Sequence, residues 1–422
     1  MKNVKTDVYD FIVKNWDKCK RFEPEDKDTL IGLPYPYIVP TCSMAFQEMY
    51  YWDTYFTCEG LILSGRADLA KNCADNMAFM INKYGFVPNG SRTYFLTRSQ
   101  PPYFCMLVKA VFDVLKDIKW LENIYPVIEK EYDFWQRERS CPMGLNHYGS
   151  SEFDEESGKK IYERITDRLS FKKPISEYKS YADFAENAIA ECESGWDFNP
   201  RFNLKCKYFA PVDLNSNLYL YEKLMEKFSL ILKNGHEERW RKRAEKRKEL
   251  MNKYLWNGKF FADYNYAENS LTNVFSAAAF HPLWAGLADD TQAERTYSQL
   301  NRIELAYGIS ACEKLENDGI FQWAYPNAWA PLHYITVFGL DNYGYNDAAL
   351  RISNKYVSAI NSIFEKTHNL WEKYNASDGT INVTNEYDMP DMLGWTAGVY
   401  LSCREYILTN QKGCINNEYT IS

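Results

Sequence analysis

The chain has 422 residues, a formal net charge of −8 and a pI near 5.4, with Lys and Arg scattered along its length, which argues against nucleic acid or an anionic membrane surface as partners. No apolar run reaches ~18 residues, so no membrane partner or span is expected, and residues 1–20 are too charged for a signal-peptide core; the expected location is cytoplasmic. Eleven cysteines without CxxC or paired Cys/His spacing predict reduced, buried thiols rather than a disulfide framework or a zinc site.

In chain order, apolar residues at i, i+3 and i+4 predict helices over Val4–Lys18, Tyr51–Leu63, Ala67–Tyr84, Pro102–Leu115, Trp120–Arg137, Tyr178–Glu193, Leu214–Leu232, Glu237–Leu255, Ser276–Ala288, Asp290–Glu304, Trp329–Phe338 and Tyr343–Phe364. Strand-like alternation is scarce and no Pro/Gly/Ser-rich linker divides the chain, so one all-α domain over residues 1–422 is expected. Greasy segments such as Ser276–Ala288 alternate with charged ones such as Glu237–Leu255, which suits an inner and an outer layer of helices.

Aromatic residues make up 16% of the chain, including 12 Trp and 33 Tyr. Interleaved with Asp, Asn and Gln, they are equipment for holding sugars, whose C–H faces stack on rings while their hydroxyls need polar partners. That mixture concentrates in residues 88–102, 193–202, 322–331 and 370–395, which fall between predicted helices. YYWDTYF, residues 50–56, sets Asp53 among five rings, where an ionised carboxylate is costly without partners. It reads as a catalyst, a ligand anchor or a capped structural residue.

Other chemistries find little support. The five His have no GxSxG companion, and there is no GxGxxG, no GxxxxGK[ST] and no metal-ligand cluster. The spacing of three WD dipeptides does not fit a propeller repeat. What remains is a set of carboxylates in aromatic, polar loops, which suits glycoside hydrolysis: one carboxyl protonates the leaving oxygen and another acts as base or nucleophile. Asp197, Glu372 and Glu386 are the candidates; Gly195, Trp196 and Phe198 give Asp197 an apolar setting suited to a proton-bearing acid.

The tracts FQEMYYWDTYF (46–56), YGFVPNGSRTYFLTRSQPP (84–102), ESGWDF (193–198), PVDLNSNLY (211–219), LWNGKFFADYNY (255–266), QWAYPNAWAP (322–331), WEKYN (371–375) and EYDMPDMLGWTAGV (386–399) resemble, in order, those of the trehalase family, glycoside hydrolase family 37. The resemblance spans roughly residues 40–405. It implies an (α/α)6 toroid of six inner and six outer helices and an inverting hydrolase of a small sugar substrate that needs no cofactor. In such an enzyme the acid and base stand roughly 6.5–9.5 Å apart to admit a water. By motif match, Asp197 takes the acid's place and Glu372 the base's. Phe46, Trp52, Asp53, Asn89, Arg98, Ser99, Gln100, Gly195, Trp329 and Glu386 take substrate-binding places. Trp323 and Trp395 read equally well as core.

The chain also departs from the family pattern. Ala45 stands where an Arg is usual, Ala324 where an Asp is usual and Ala328 where a Gly is usual; the RPE tract upstream of the acid has only Lys173-Pro174 as a remnant. The expected function is hydrolysis of α,α-trehalose or a related small α-glucoside. The alternatives are a same-fold hydrolase specific for another disaccharide or glucosyl conjugate, and a non-catalytic carbohydrate-binding homologue.

Overall fold

A computed structural model describes residues 7–43, 45–169, 173–316, 321–385, 388–391 and 394–418. Fourteen α-helices occur among them: α1 (Val8–Asn15), α2 (Tyr51–Leu63), α3 (Ala67–Tyr84), α4 (Phe104–Leu115), α5 (Ile118–Glu138), α6 (Glu155–Arg168), α7 (Tyr181–Glu193), α8 (Val212–Leu232), α9 (Glu237–Tyr254), α10 (His281–Trp284), α11 (Asp290–Tyr297), α12 (Ala330–Asp341), α13 (Asn346–Thr367) and α14 (Gly394–Glu418). Strands of two or three residues pair into small antiparallel sheets.

Helices α2, α4, α8, α10, α12 and α14 pack neighbour to neighbour, and α14 returns to α2 to close a ring. Around it, α3 bridges α2 and α4, α5 backs α4 and α8, α9 backs α8, and α13 backs α12 and α14. Phe11 of α1 sits 4.9 Å from Phe364 of α13, and Tyr297 of α11 stacks at 4.3 Å on Tyr345. This is the all-α toroid with inner and outer layers. Closure depends on two glycines: a Cβ on Gly398 of α14 would overlap the Phe56 carbonyl of α2, and one on Gly60 would lie 2.6 Å from the Gly398 Cα. Glycine inside a helix costs about 1 kcal/mol relative to alanine, a cost offset here by backbone contact between the first and last inner helices.

The buried Glu131 of α5 orients α2. It accepts from the Tyr51 hydroxyl at 2.5 Å and from the Tyr221 hydroxyl, while burial pushes its carboxyl up to about 7. The Tyr51 oxygen in turn accepts from the backbone N–H groups of Tyr103 (3.1 Å) and Phe104 (3.0 Å), so it serves the N-terminus of α4. With Tyr51 pulled into the core, Trp52 and Asp53 face elsewhere.

Several elements differ from the sequence expectation. Residues 276–288 form a 3₁₀ turn, Ala277–Phe280, and the short α10, because Pro282 and the left-handed Gly286 break a long helix. Helix α6 is not among the expected helices although Ile161, Tyr162 and Ile165 recur at helical spacing; its highly charged composition hides a short stripe that packs on the smaller apolar cluster. Helix α14 carried no periodic signal: Trp395, Ala397, Val399, Tyr400, Leu401 and Cys403 are all buried, leaving no polar face to reveal a period. The ten described cysteines are free thiols, all buried except Cys42, whose Sγ lies 2.8 Å from that of Cys19. A large apolar cluster fills the ring, and a smaller one sits under α6 and α7, including Phe184, Phe198, Leu204, Phe321 and Ala324.

Candidate active site

All four polar, aromatic loops contribute to one cavity of about 560 Å³. One wall is the first turn of α2. Its N-cap, Tyr50, supplies no side-chain acceptor; instead the Trp52 N–H donates to Gln100 Oε1 at 3.1 Å. Gln100 thereby fixes the turn that carries Trp52 and Asp53 into the cavity. Burial, then the charges of Glu372 and Asp197, push the Asp53 carboxyl up to about 8, against an opposing pull from its own backbone N–H. In its protonated form Asp53 can donate a hydrogen bond as well as accept one.

Residues 89–100 form the next wall. Asn89 donates to the carbonyls of Ser99 (3.4 Å) and Cys192 (3.5 Å). Arg98 stacks on Phe95 at 5.0 Å, and its Nε is a buried donor with no partner among the described residues. Ser99 does not line the cavity: its N–H donates to Glu193 Oε1 at 2.7 Å and its hydroxyl to the Val87 carbonyl at 2.7 Å, so it supports the wall from behind. Glu193 also pairs with Arg139 at 2.9 Å and accepts from the Gly149 N–H at 2.6 Å.

Asp197 follows a tightly determined turn. Gly195 has φ +76°, and a Cβ there would meet the Trp52 ring at 2.7 Å, which accounts for glycine at this position. Beneath the turn, Arg201 is fully buried, donates to Asp213 (2.7 Å) and to both oxygens of Asp263 (2.9 and 2.7 Å), and stacks at 4.4 Å on Trp196. The Asp197 carboxylate accepts from Arg168 Nη2 at 2.9 Å, and its carbonyl accepts from Arg168 Nη2 (3.1 Å) and Gln322 Nε2 (2.9 Å).

Glu372 precedes the strand Lys373–Asn375, which pairs antiparallel with Asn327–Trp329, joining the WEKYN and QWAYPNAWAP tracts. Its Oε2 lies 2.7 Å from Nζ of the fully buried Lys373, whose ammonium sits 4.8 Å from the Trp329 ring centre. The Trp395 indole N–H donates to the Glu372 carbonyl at 3.2 Å. Trp323 and Trp329 stack at 3.7 Å, and Trp323 meets Trp52 at 5.6 Å. Trp323 and Trp395 are therefore both core and cavity wall.

Thus Phe46, Trp52, Asp53, Asn89, Arg98, Gln100, Gly195, Asp197, Trp329 and Glu372 share the cavity. Glu386 lies outside the described residues. Sequence reasoning missed Arg168 and Asp388, which also line it. Arg168 sits in a polar segment that reads as a solvated face; Asp388 is two residues past Glu386, a proximity that was a usable signal. Lys173, the remnant of the upstream tract, does not reach the cavity, since its Nζ donates to the Asn203 carbonyl at 2.9 Å. Of the three substituted positions, Ala45 is exposed at the cavity rim, Ala324 is buried in the smaller apolar cluster and Ala328 is buried in the large one.

A ring of paired helices around an aromatic cavity bearing several carboxylates defines a glycosidase of the (α/α)6 class. The family model described as trehalase matches residues 3–407. The periplasmic trehalase of Xanthomonas campestris pv. campestris (strain 8004) is 32% identical over 413 residues, covering 92% of this chain and 71% of that protein. The neutral trehalase Nth1 from Saccharomyces cerevisiae superposes with a TM-score of 0.76 at 27% identity, covering 95% of this chain and 80% of that one. A glycoside hydrolase family 63 mannosylglycerate hydrolase from Thermus thermophilus shares the fold, with a TM-score of 0.64 at 13% identity over 94% of this chain and 99% of that one. The chain belongs to the trehalase family.

The cytoplasmic expectation is corrected by these relatives, since the curated proteins from Xanthomonas campestris and Escherichia coli are named periplasmic trehalases. Charge and the length of apolar runs constrain membrane crossing but not compartment, which is why they misled. No helix among the described residues is long and apolar enough to cross a membrane.

Proposed function

We propose that this chain hydrolyses α,α-trehalose or a closely related α-glucoside with inversion at the anomeric carbon. Asp197 donates a proton to the glycosidic oxygen as its bond to C1 breaks, while Glu372 takes a proton from the water that attacks C1 from the opposite face. Asp53 and Arg98 hold sugar hydroxyls, with Trp52 and Trp329 supplying apolar contact, and Glu386 is assigned to substrate binding by its motif. The observation that carries this reading is the meeting of Asp53, Asp197 and Glu372, from three separate tracts, in one ring-lined cavity where Asp53 feels the charge of the other two. The reading takes the chain as one catalytic domain, because the inner ring draws α2 and α14 from opposite ends of it.

The test is turnover of trehalose, kojibiose, sucrose and maltose by the wild type and by Asp197→Ala and Glu372→Ala, with the product anomers followed by NMR. Trehalose cleaved with inversion releases one α- and one β-glucose, and either substitution is expected to lower kcat by about 10²–10⁴-fold. Full activity in both variants, or release of α-glucose alone, would refute the assignment. Turnover of another disaccharide in preference to trehalose would favour the second reading, which Ala324 supports: with its apolar neighbours it leaves that wall without the family's carboxylate. Turnover of any substrate, abolished by either substitution, excludes a non-catalytic binding role.

A further inference from the structure

Arg168 lines the cavity on the Asp197 side, five residues before Lys173. It is the last residue of α6, while α7 ends at Glu193, four positions before Asp197 in the sequence. The two helices are locked together. Glu155 of α6 accepts from the N–H groups of Tyr181 and Ala182 at 3.1 Å each, and a Cβ on Gly158 would lie 2.5 Å from the Tyr181 carbonyl carbon. Donor and acceptor of the Arg168–Asp197 pair thus emerge from one rigid helix pair.

At the contact itself, Nη2 reaches both the Asp197 Oδ2 (2.9 Å) and the carbonyl of the same residue (3.1 Å), and the guanidinium rests 5.1 Å from the Phe198 ring centre. One nitrogen that binds a side chain to its own main chain fixes that side chain's rotation. Resting on this reading of Asp197 as the acid, we propose that Arg168 is its positioning residue: by holding Oδ2, it presents Oδ1 to the glycosidic oxygen. A general acid works through one oxygen, and a freely turning carboxyl would spend part of its time with the proton facing the wrong way. The cation also faces the negative charge that grows on Asp197 as the proton leaves, an interaction stronger in the transition state than before it. Lys173 cannot take this role, since it is turned onto Asn203 and Glu177.

The test compares the disaccharide the enzyme hydrolyses with α-D-glucopyranosyl fluoride, whose leaving group needs little protonation. Wild type, Arg168→Met, Arg168→Lys and Asp197→Asn are measured on both, with thermal unfolding as a check on folding. Arg168→Met is expected to lower kcat on the disaccharide by about 10²-fold with KM within about twofold, and kcat on the fluoride by less than about fivefold. Arg168→Lys, which keeps the charge but not the planar fork, should recover about tenfold of the loss; should Arg168→Met fail to fold, the Lys variant carries the same comparison against wild type. Equal losses on both substrates, a rise in KM with kcat unchanged, or unchanged turnover of the disaccharide would overturn the inference. Asp197→Asn separates the two readings. If it spares the disaccharide, the acid assignment itself falls; if it abolishes disaccharide turnover, spares the fluoride, and Arg168→Met does neither, only the positioning role falls.

Discussion

Trp52 and Asp53 stand on an inner-ring helix within the large apolar cluster, whereas Arg168 and Asp197 hang from α6 and α7 over a much smaller one. The first wall is held mainly by single hydrogen bonds to the backbone, such as that from Trp52 to Gln100. The second is held by buried ions, Arg201 with Asp213 and Asp263, while the Arg139–Glu193 pair at the end of α7 braces both walls through the Ser99 N–H. The buried Ala324 belongs to the second wall and the exposed Ala45 to the rim beside Phe46 and Tyr50, while YYWD and TRSQPP are intact on the first. A wall backed by a small apolar cluster and cross-linked by charges can exchange its cavity-facing residues as long as the ions beneath are kept. A wall made from a ring helix has less latitude, because moving it disturbs closure of the toroid.

The comparison can be broken most severely at Arg201. Arg201→Met leaves Asp213 and Asp263 buried without their cation and should cost about 3–5 kcal/mol in urea unfolding. Restoring the family's carboxylate through Ala324→Asp should also destabilise, by about 2–3 kcal/mol or more, with no gain in kcat, because position 324 is fully buried in the smaller apolar cluster. Gly195→Ala, at the seam where the walls meet, should cost about 1–3 kcal/mol and raise KM, since its Cβ enters the Trp52 ring and φ is +76°.

Asp53 offers a test by pH. Its carboxyl is raised from 3.8 to about 8, so folding favours the protonated form. The associated stability is complete below the unfolded value near 4 and is lost as pH rises through 8. Asp53→Asn removes the ionisation, so its melting temperature relative to wild type should climb by a few °C between pH 5 and pH 9. The smallest effect belongs to Ala45→Arg, which adds a cation at an exposed rim position: stability should stay within about 0.5 kcal/mol while KM for the disaccharide changes.

Much of this was legible from residues alone. Helices α2 and α3 begin and end where the periodicity places them, and the tracts carrying Asp53, Asp197 and Glu372 converge on one cavity. The missed elements differ in cause: the start of α14 buries too many residues to alternate, whereas α6 holds Ile161, Tyr162 and Ile165 at helical spacing inside a charged segment, a signal that was there to read. Ser99 and Gln100 adjoin in one tract, yet only Gln100 reaches the cavity, because the choice turns on which side of the backbone faces Glu193.

What the sequence determined by itself is local chemistry: helical segments, an aromatic and carboxylate-rich set of loops, and a family whose motifs span nearly the whole chain. The tertiary structure decided what depends on distance between remote residues. It buried Asp53 and set Glu372 and Asp197 near it, which together push its carboxyl up to about 8, paired Lys373 with both Glu372 and the Trp329 ring, and laid Arg168 against Asp197. Charge interactions fall off with separation in space, and separation in space is what a sequence does not contain until the ring has closed.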